Sequence, residues 1–202
     1  GKSTLEKLLI HYYDPQKGSI SIGGQKLCDM SLEALNSRIS YVAQDQYLFN
    51  TSLLENIRLG RLDATDEEVI AAAKASHAHS FIKRLLQGYD TVMAEDGGNL
   101  SQGQKQLISF ARTLLCDPAI LILDEATSSI DVQTEKALQT GLNRMLKGRT
   151  SFIIAHRLST IRGCDKIMYI DDGGIAEAGT HEELMKKKGR YYKLYTAQKS
   201  LH

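Results

Sequence analysis

The 202-residue chain lacks the features that mark several large classes of protein. It has three cysteines, Cys28, Cys116 and Cys164, whose odd number and wide spacing argue against a disulfide framework and against a zinc site. Its net charge of +1 gives no basic surface for nucleic acid. No apolar run approaches the roughly 18 residues that a membrane-spanning helix needs. The length and composition therefore predict free thiols in a reducing compartment and one domain, or a domain with a subdomain.

The most informative segment lies between Leu100 and Asp131. A Ser-Gln-Gly-Gln turn precedes a helical stretch, and four aliphatic residues then lead to Asp124 and Glu125. Such an apolar run predicts a buried strand that delivers two carboxylates to the edge of a sheet, where parallel sheets bind ligands. A Ser/Gly turn before a helix is a site for anions, because free N–H groups and the helix dipole point the same way. The segment therefore offers one place for phosphate and another for a metal and a water.

The first four residues, Gly1-Lys2-Ser3-Thr4, match the second half of the phosphate-binding loop G-x-x-x-x-G-K-[ST]. In that loop the glycine admits phosphate close to backbone N–H groups, the lysine supplies a point charge, and the serine hydroxyl can bind Mg²⁺. Residues 5–10 are expected to continue as a helix. A four-residue match alone also fits an ordinary helix start at the surface. We expect the chain to begin inside its own nucleotide site.

Strands alternate with helices along the rest of the chain, which predicts an α/β fold with a largely parallel sheet. The predicted strands cover residues 18–22, 39–42, 120–123, 151–154, 166–170 and 174–178. The predicted helical segments begin at Ser31, fill a block from Thr51 to Leu86, cover 104–115 and 134–146, and begin again after Thr180 with a capping box to Glu183. Apolar pairs or stripes are expected at Leu32 and Leu35, at Val69, Ile70, Ala72 and Ala73, and at Phe81, Ile82, Leu85 and Leu86.

Taken in order, these motifs resemble the nucleotide-binding domain of an ATP-binding cassette (ABC) transporter of the exporter type, which has a P-loop NTPase fold. The resemblance covers the whole chain, and its most specific parts are the signature and Walker B. The matching segments are the end of Walker A at Gly1-Lys2-Ser3-Thr4, the Q-loop glutamine Gln44, the signature Leu100-Ser101-Gln102-Gly103-Gln104, Walker B from Ile120 to Asp124 followed by Glu125, the D-loop Ser129-Ile130-Asp131, and the switch histidine His156.

The resemblance implies a division of the chain and a set of roles. Residues 1–44 and 117–202 would form the RecA-like ATP-binding core, and residues 45–116 would form the helical subdomain. The residues expected to hold ATP are Gly1, Lys2, Ser3, Thr4, Gln44 and Asp124, with Mg²⁺ on Ser3 and Gln44 and through water on Asp124. Glu125 would orient the attacking water and His156 would contact the γ phosphate. A fragment that lacks the front of the loop is expected to bind ATP weakly and to be a weak or inactive ATPase by itself.

The signature implies a second copy of the domain, because Ser101 to Gln104 of one domain would complete the ATP site of the other in a head-to-tail pair. The family usually has glycine where this chain has Gln102, so a glutamine that needs a positive φ would weaken that site. This leaves open a homodimer or a heterodimer with one weaker site. Asp131 fits either a D-loop role across that interface or a plain helix N-cap.

His77 and His79 face different ways on a helix, so a metal site there is not expected.

Two further stretches resemble exporters in particular. Tyr47-Leu48-Phe49 with Leu54-Glu55-Asn56-Ile57 resembles the region that meets the coupling helices of the membrane half. Glu95 and Gly97 resemble the cross-talk loop, with Asp96 in place of a basic residue. The resemblance thus implies an ATPase at the cytoplasmic face of a membrane, expected to be a bacterial plasma membrane, that powers export. A non-transport ABC ATPase in DNA repair or translation, or a non-hydrolysing ATP-gated module, are the alternatives. The near-neutral charge disfavours the first, and intact Glu125 and His156 disfavour the second.

Overall fold

The structure, a computed structural model, describes residues 2–43, 45, 47–124, 132–155 and 158–200. They form two compact units, one of Gly1–Met30 with Ile153–His202 and one of Ser31–Phe152. The elements in chain order are α1 (Lys2–Leu9), β1 (Ser21–Ile22), β2 (Gln25–Lys26), α2 (Leu32–Arg38), β3 (Ile39–Val42), α3 (Leu53–Arg58), α4 (Asp66–Ala75), α5 (His79–Ile82), α6 (Gln102–Cys116), β4 (Ile120–Asp124), α7 (Val132–Leu146), β5 (Thr150–Ile154), α8 (Leu158–Ile161), β6 (Ile167–Asp171), β7 (Gly174–Gly179), α9 (His181–Lys187) and α10 (Arg190–Lys199).

The first unit contains two antiparallel strand pairs, β1 with β2 and β6 with β7. Its core consists of Leu158, Ile167, Leu184 and Tyr191. The strand predicted over residues 18–22 is shorter than expected, because Gly18 has φ 81° and belongs to a turn. The three cysteines are free, as predicted. Within the described ranges we find no helix that combines the length and the apolar character needed to cross a bilayer.

Two different caps begin the last two helices of this unit. Helix α9 has the predicted capping box, in which the Glu183 N–H donates to Thr180 Oγ1 and the Thr180 N–H donates to Glu183 Oε2. Helix α10 is an element that the sequence analysis missed. Glu177 of β7 caps it by accepting hydrogen bonds from the Arg190 N–H at 2.8 Å and the Tyr191 N–H at 3.0 Å. These bonds hold the pKa of the Glu177 carboxyl below its usual value.

Three strands form a sheet in the order β3-β4-β5, and β3 and β4 lie in the second unit. Strands β3 and β4 run parallel, with Ile39 opposite Ile120 and Val42 opposite Leu123. The middle of β4 is buried, as expected for a central strand covered on both faces. These features confirm the predicted α/β fold with a parallel sheet.

The helices of the second unit begin largely where the sequence predicts. Hydroxyl side chains of Ser31, Ser52, Thr65 and Ser101 cap α2, α3, α4 and α6. Two predictions about apolar stripes are wrong. Leu32 is 66% exposed, because the first residue of a helix has no preceding turn to cover. Leu86 is fully exposed, because α5 ends at Ile82 and the expected stripe ends with it.

Candidate functional site

The predicted phosphate-binding residues open helix α1. Lys2, Ser3 and Thr4 occupy its first turn, and all three are exposed. The first N–H groups of a helix have no intrahelical acceptor, so this turn presents donors together with the Lys2 ammonium. The arrangement suits an anion with several oxygens. The other predicted residues of the nucleotide and D-loop motifs, Gly1, Gln44, Glu125, Ser129, Asp131 and His156, lie outside the described residues.

Asp124 lies at the carboxyl edge of the parallel sheet in the second unit. It is the last residue of β4 and is half-buried. Because Val42 pairs with Leu123, Ala43 and Asp124 follow at the same edge. The chain continues from Ala43 to Gln44 and from Asp124 to Glu125. Asp124 is thus the end of a buried strand, as the apolar run predicts, and the edge of a parallel sheet is where ligands bind.

The signature segment forms the N-terminus of α6. The Gln104 N–H donates to Ser101 Oγ at 3.2 Å, and the Ser101 N–H donates to Gln104 Oε1 at 3.0 Å. The first intrahelical bond runs from the Lys105 N–H to the Ser101 carbonyl. The capping box therefore leaves the N–H groups of Gln102 and Gly103 outside the helical pattern. Since Ser101 Oγ accepts in the cap, its hydroxyl hydrogen remains able to donate to an external oxygen.

Gln102 has an ordinary helical backbone. It lies inside α6 and is not among the residues with positive φ. The φ-dependent cost that a glutamine would have in place of glycine is therefore absent in this conformation. The exposed Gln102 side chain still adds bulk beside the free N–H groups, whereas Gly103 is buried. This signature therefore differs from one with glycine in the bulk of the Gln102 side chain and not in backbone strain.

A buried hydrogen-bond network joins α6 to the segment after the Q-loop. Asn56 of α3 is fully buried, and its Oδ1 accepts from the Phe49 N–H and from Arg112 Nη2, both at 2.9 Å. Its Nδ2 donates to the carbonyls of Phe49 and Ser52 at 3.0 Å. Arg112 Nε donates to the Asn56 carbonyl at 2.6 Å, and Nη1 donates to the Tyr47 carbonyl at 2.9 Å. Burial lowers the pKa of Arg112 to about 10.

Neither residue was predicted from the sequence as a hydrogen-bonding centre: Asn56 was named only as part of the exporter-like stretch, and Arg112 was not named. The available signal was an arginine in the apolar sequence Phe110-Ala111-Arg112-Thr113-Leu114-Leu115, where a long polar side chain needs a partner. The nature of that partner follows only from the packing of α3 against α6. Gly60 fits this packing because a Cβ there would collide with the Arg112 carbonyl oxygen.

An open groove of about 490 Å³ runs beside this network in the second unit. Its lining includes Tyr41, Tyr47 and Phe49, which are 41%, 56% and 50% exposed. The rings of Tyr47 and Phe49 meet edge to face, with centroids 4.8 Å apart. Arg112 and Asp45 are the charged residues of the lining. Exposed aromatic rings beside charged groups are typical of an interaction surface.

The predicted cross-talk loop packs against the same segment. Gly97 has φ 63°, and a Cβ there would lie 2.9 Å from Leu48 Cδ1. The Leu53 N–H donates to the Thr91 carbonyl, and the Met93 N–H donates to the Thr51 carbonyl. Residues 47–53 therefore lie between α6 and the strand-like stretch that precedes Gly97. Because the three segments are packed together, a displacement of any one of them would change its contacts with the others.

The two neighbouring histidines lie in different local environments. His77 has φ 67° and lies between α4 and α5, while His79 Nδ1 is 2.7 Å from the Tyr89 hydroxyl. Burial raises the pKa of Tyr89 to about 12. Among the described residues there is no group of three or more His, Cys, Asp or Glu side chains that could hold a metal.

The parallel sheet with an acid at its carboxyl edge and the capped helix α6 are features of an α/β fold of the P-loop class. Residues 1–128 match the family described as ABC transporter. This chain belongs to the ABC transporter family. It is an ATP-binding domain of the exporter type, and domains of this kind are ATPases.

Relatives and a solved structure show the same similarity over nearly the whole chain. The chain is 51% identical over 198 residues to the "Uncharacterized ABC transporter ATP-binding protein YfiC" of Bacillus subtilis, covering 98% of this chain and 33% of that protein. It is 50% identical over 198 residues to a "Putative multidrug export ATP-binding/permease protein" of Staphylococcus aureus, covering 98% of this chain and 34% of that protein.

The solved structure described as "Structure of a bacterial Atm1-family ABC exporter with ATP bound" is similar with a TM-score of 0.91 and 42% identity, covering 98% of this chain and 35% of that one. The chain thus spans about a third of the length of these proteins.

Proposed function

We propose that this chain is the ATP-hydrolysing domain of an ABC exporter, in which ATP binding and hydrolysis drive a fused membrane domain between its transport states. The observation that carries the proposal is the capped start of α6, which offers the Ser101 hydroxyl and two N–H groups to an external anion. The Staphylococcus aureus relative, whose name joins ATP-binding with permease, supports the link to a membrane domain. The proposed RecA-like core is 1–44 with 117–202, and the proposed helical subdomain is 45–116.

ATP would be held by this chain through the start of α1 and the edge of the sheet. Lys2 would neutralise phosphate charge and Thr4 would bond the α phosphate. The donors expected for Mg²⁺, a Ser3 hydroxyl, a Gln44 amide oxygen and an Asp124 carboxylate acting through water, are the oxygen ligands that this ion prefers. A site with few protein carboxylates suits Mg²⁺, which keeps several waters and binds substrate phosphates. Mg²⁺ would polarise the phosphates and neutralise their charge.

Glu125 and His156 would perform the hydrolytic step. Glu125 is one residue beyond Asp124, so it suits a base that orients the attacking water, and His156 would contact the γ phosphate. In the full-length transporter, Glu125→Gln should abolish turnover and trap ATP-bound dimers, which size-exclusion chromatography with ATP would detect. Unchanged turnover in this variant would refute the assignment of the base. Glu135→Gln, on the described helix α7, is a control for an acid outside the motifs.

A second domain would complete the ATP site in a head-to-tail pair. Ser101, the N–H groups of Gln102 and Gly103, and the dipole of α6 would meet the γ phosphate bound by the partner, with Gln104 holding the cap. Ser129 and Asp131 would act at the same interface. Since Gln102 carries only a bulk penalty, Gln102→Gly in the full-length dimer should raise ATPase activity modestly. No change would remove the reason to prefer a heterodimer with one weaker site.

The groove lined by Tyr41, Tyr47 and Phe49 would receive a coupling helix of the membrane domain. Its exposed aromatic rings and its position beside the cross-talk loop support this assignment. The domain would then lie at the cytoplasmic face of a bacterial plasma membrane. A cysteine at position 49, in a Cys116→Ser background, should cross-link to a cysteine in one cytoplasmic loop of the membrane domain. Absence of a cross-link at every loop position would refute this docking.

A further inference from the structure

Arg112 is a partly buried cation with no carboxylate partner among the described residues. Each of its hydrogen bonds within the described part of the chain goes to an uncharged oxygen, namely the carbonyls of Tyr47 and Asn56 and the amide oxygen of Asn56. None of the ion pairs between described residues includes it. A buried charge is normally paired, because desolvation costs free energy that neutral acceptors repay only in part.

Other sheltered arginines of the same unit show the usual arrangement. The Arg58 side chain is 14% exposed and pairs with both Glu55 and Asp66. The Arg149 side chain is 9% exposed and pairs with Asp117 at 3.3 Å. Arg112 differs from these two in that its hydrogen-bond partners carry no charge. The missing partner is the feature that needs an explanation.

The Arg112 guanidinium, which lines the groove, retains unused donors. Of the five N–H groups of an arginine, three are used by Tyr47 and Asn56, so two remain, one on each terminal nitrogen. Arg112 also lines the groove with the exposed rings of Tyr47 and Phe49. A carboxylate with two oxygens matches such a pair of donors better than any other protein group.

We propose that the segment of the membrane domain that docks in this groove places an aspartate or glutamate against Arg112. The inference rests on the proposed function, because it assumes that a coupling helix fills the groove. The chemistry of the lining selects an occupant with apolar side chains for Tyr41, Tyr47 and Phe49 and one acid for Arg112. Asp45, the other charged residue of the lining, makes no ion pair with Arg112 in the described structure.

The test is a charge exchange in the full-length transporter. Arg112→Glu is combined in turn with a lysine at each acidic position of the cytoplasmic loops, and substrate transport per ATP hydrolysed is measured. The single variant should lose transport by about tenfold or more, because an acid replaces the cation and would repel the acid of the docked segment. One loop lysine should restore at least a third of it, whereas the matched variant Arg58→Glu should be restored by none. Rescue by Asp45→Lys instead would show an internal pair and overturn the proposal.

A second variant covers the case in which Arg112→Glu fails to fold. Arg112→Lys keeps the positive charge but loses the paired donors of the guanidinium. It is combined in turn with neutralisation of each acid of the cytoplasmic loops. The expected result is one acid whose neutralisation lowers transport less in the Arg112→Lys background than in the wild type, by about threefold or more. Equal effects at all positions overturn the proposal. If the cross-link from position 49 persists in that case, the docking stands and only the ion pair fails.

Discussion

Replacement of Asn56 by alanine should be among the most destabilising single changes in the second unit. The fully buried side chain makes four hydrogen bonds of 2.9–3.0 Å, two through Oδ1 and two through Nδ2, and Nδ2 also donates to the Thr51 carbonyl at 3.3 Å. Asn56→Ala leaves the Phe49 N–H and an Arg112 N–H without an acceptor, each at a cost of about 1–3 kcal/mol. Together with the three carbonyls that lose the Nδ2 donor, we expect a loss of about 3–5 kcal/mol in the free energy of unfolding.

Urea denaturation followed by circular dichroism measures this loss. A decrease of about 3–5 kcal/mol should lower the urea midpoint by about 1–2 M. Asn143→Ala is the matched control, because Asn143 is also a helical asparagine but is exposed, and its Oδ1 accepts from Gln139 Nε2 at 3.1 Å on the helix surface. The gain in helix propensity is then the same in both variants. If the free energies of unfolding of the two variants differ by less than about 1 kcal/mol, the hydrogen bonds of the buried Asn56 side chain do not stabilise the fold as argued.

Asn56→Asp separates the two halves of the side chain. It keeps an acceptor for the Phe49 N–H and places a carboxylate against Arg112, but it turns a second oxygen toward the carbonyls of Phe49 and Ser52. We expect a net destabilisation of about 1–3 kcal/mol, since the lost donors and the repulsion exceed the gain from the ion pair. Wild-type stability in this variant would mean that the Nδ2 bonds contribute little.

Three further changes test separate parts of the structure. Gly97→Ala should cost about 1–3 kcal/mol because φ is 63° and the new Cβ would press on Leu48, whereas Gly98→Ala, with φ −58°, should be nearly neutral in the same urea assay. Because the pKa of Glu177 is lowered in the folded state, its carboxylate stabilises the fold above pH 4.5, and this contribution is lost as the pH falls through the folded-state pKa. Glu177→Gln should therefore make the free energy of unfolding depend less steeply on pH in the acid range. The raised pKa of Tyr89, about 12, means that its contribution is present below pH 10 and lost as the pH rises toward 12, so Tyr89→Phe should remove one late transition from the absorbance titration at alkaline pH.

Elements that depend on local sequence were predictable. The capping box of Thr180 with Glu183 and the strand from Ile120 follow from residues within a few positions of each other. The box was predicted with both of its residues, and the strand was predicted within one residue of its ends. Ser101 was assigned to the phosphate-binding turn, and the structure adds that the same hydroxyl caps α6. Local patterns specify such features because their partners are nearby in the chain.

Features that depend on distant partners could not be predicted. Helix α10 begins at a cap supplied by Glu177, thirteen residues before Arg190, and its sequence has no clear apolar period. Leu86 continues the helical pattern of apolar residues in the sequence, but helix α5 ends at Ile82 and Leu86 is exposed. The bond from Arg112 to Asn56 spans 56 positions and has no counterpart in motif spacing. Tertiary packing decides each of these cases, and one sequence does not contain that information in readable form.

Helix α6 connects three features that the motifs treat as separate. Its first residue, Gln102, belongs to the signature, its eleventh, Arg112, lines the groove, and its end at Asp117 leads directly toward β4. As a rigid rod, it spans about 22 Å from Gln102 to Asp117 and about 7 Å from Arg112 to Asp117. A tilt about the Asp117 end that moves Arg112 by about 1 Å therefore moves Gln102 by about 3 Å. The helix has the proportions of a lever, with its short arm at the groove and its long arm at the signature.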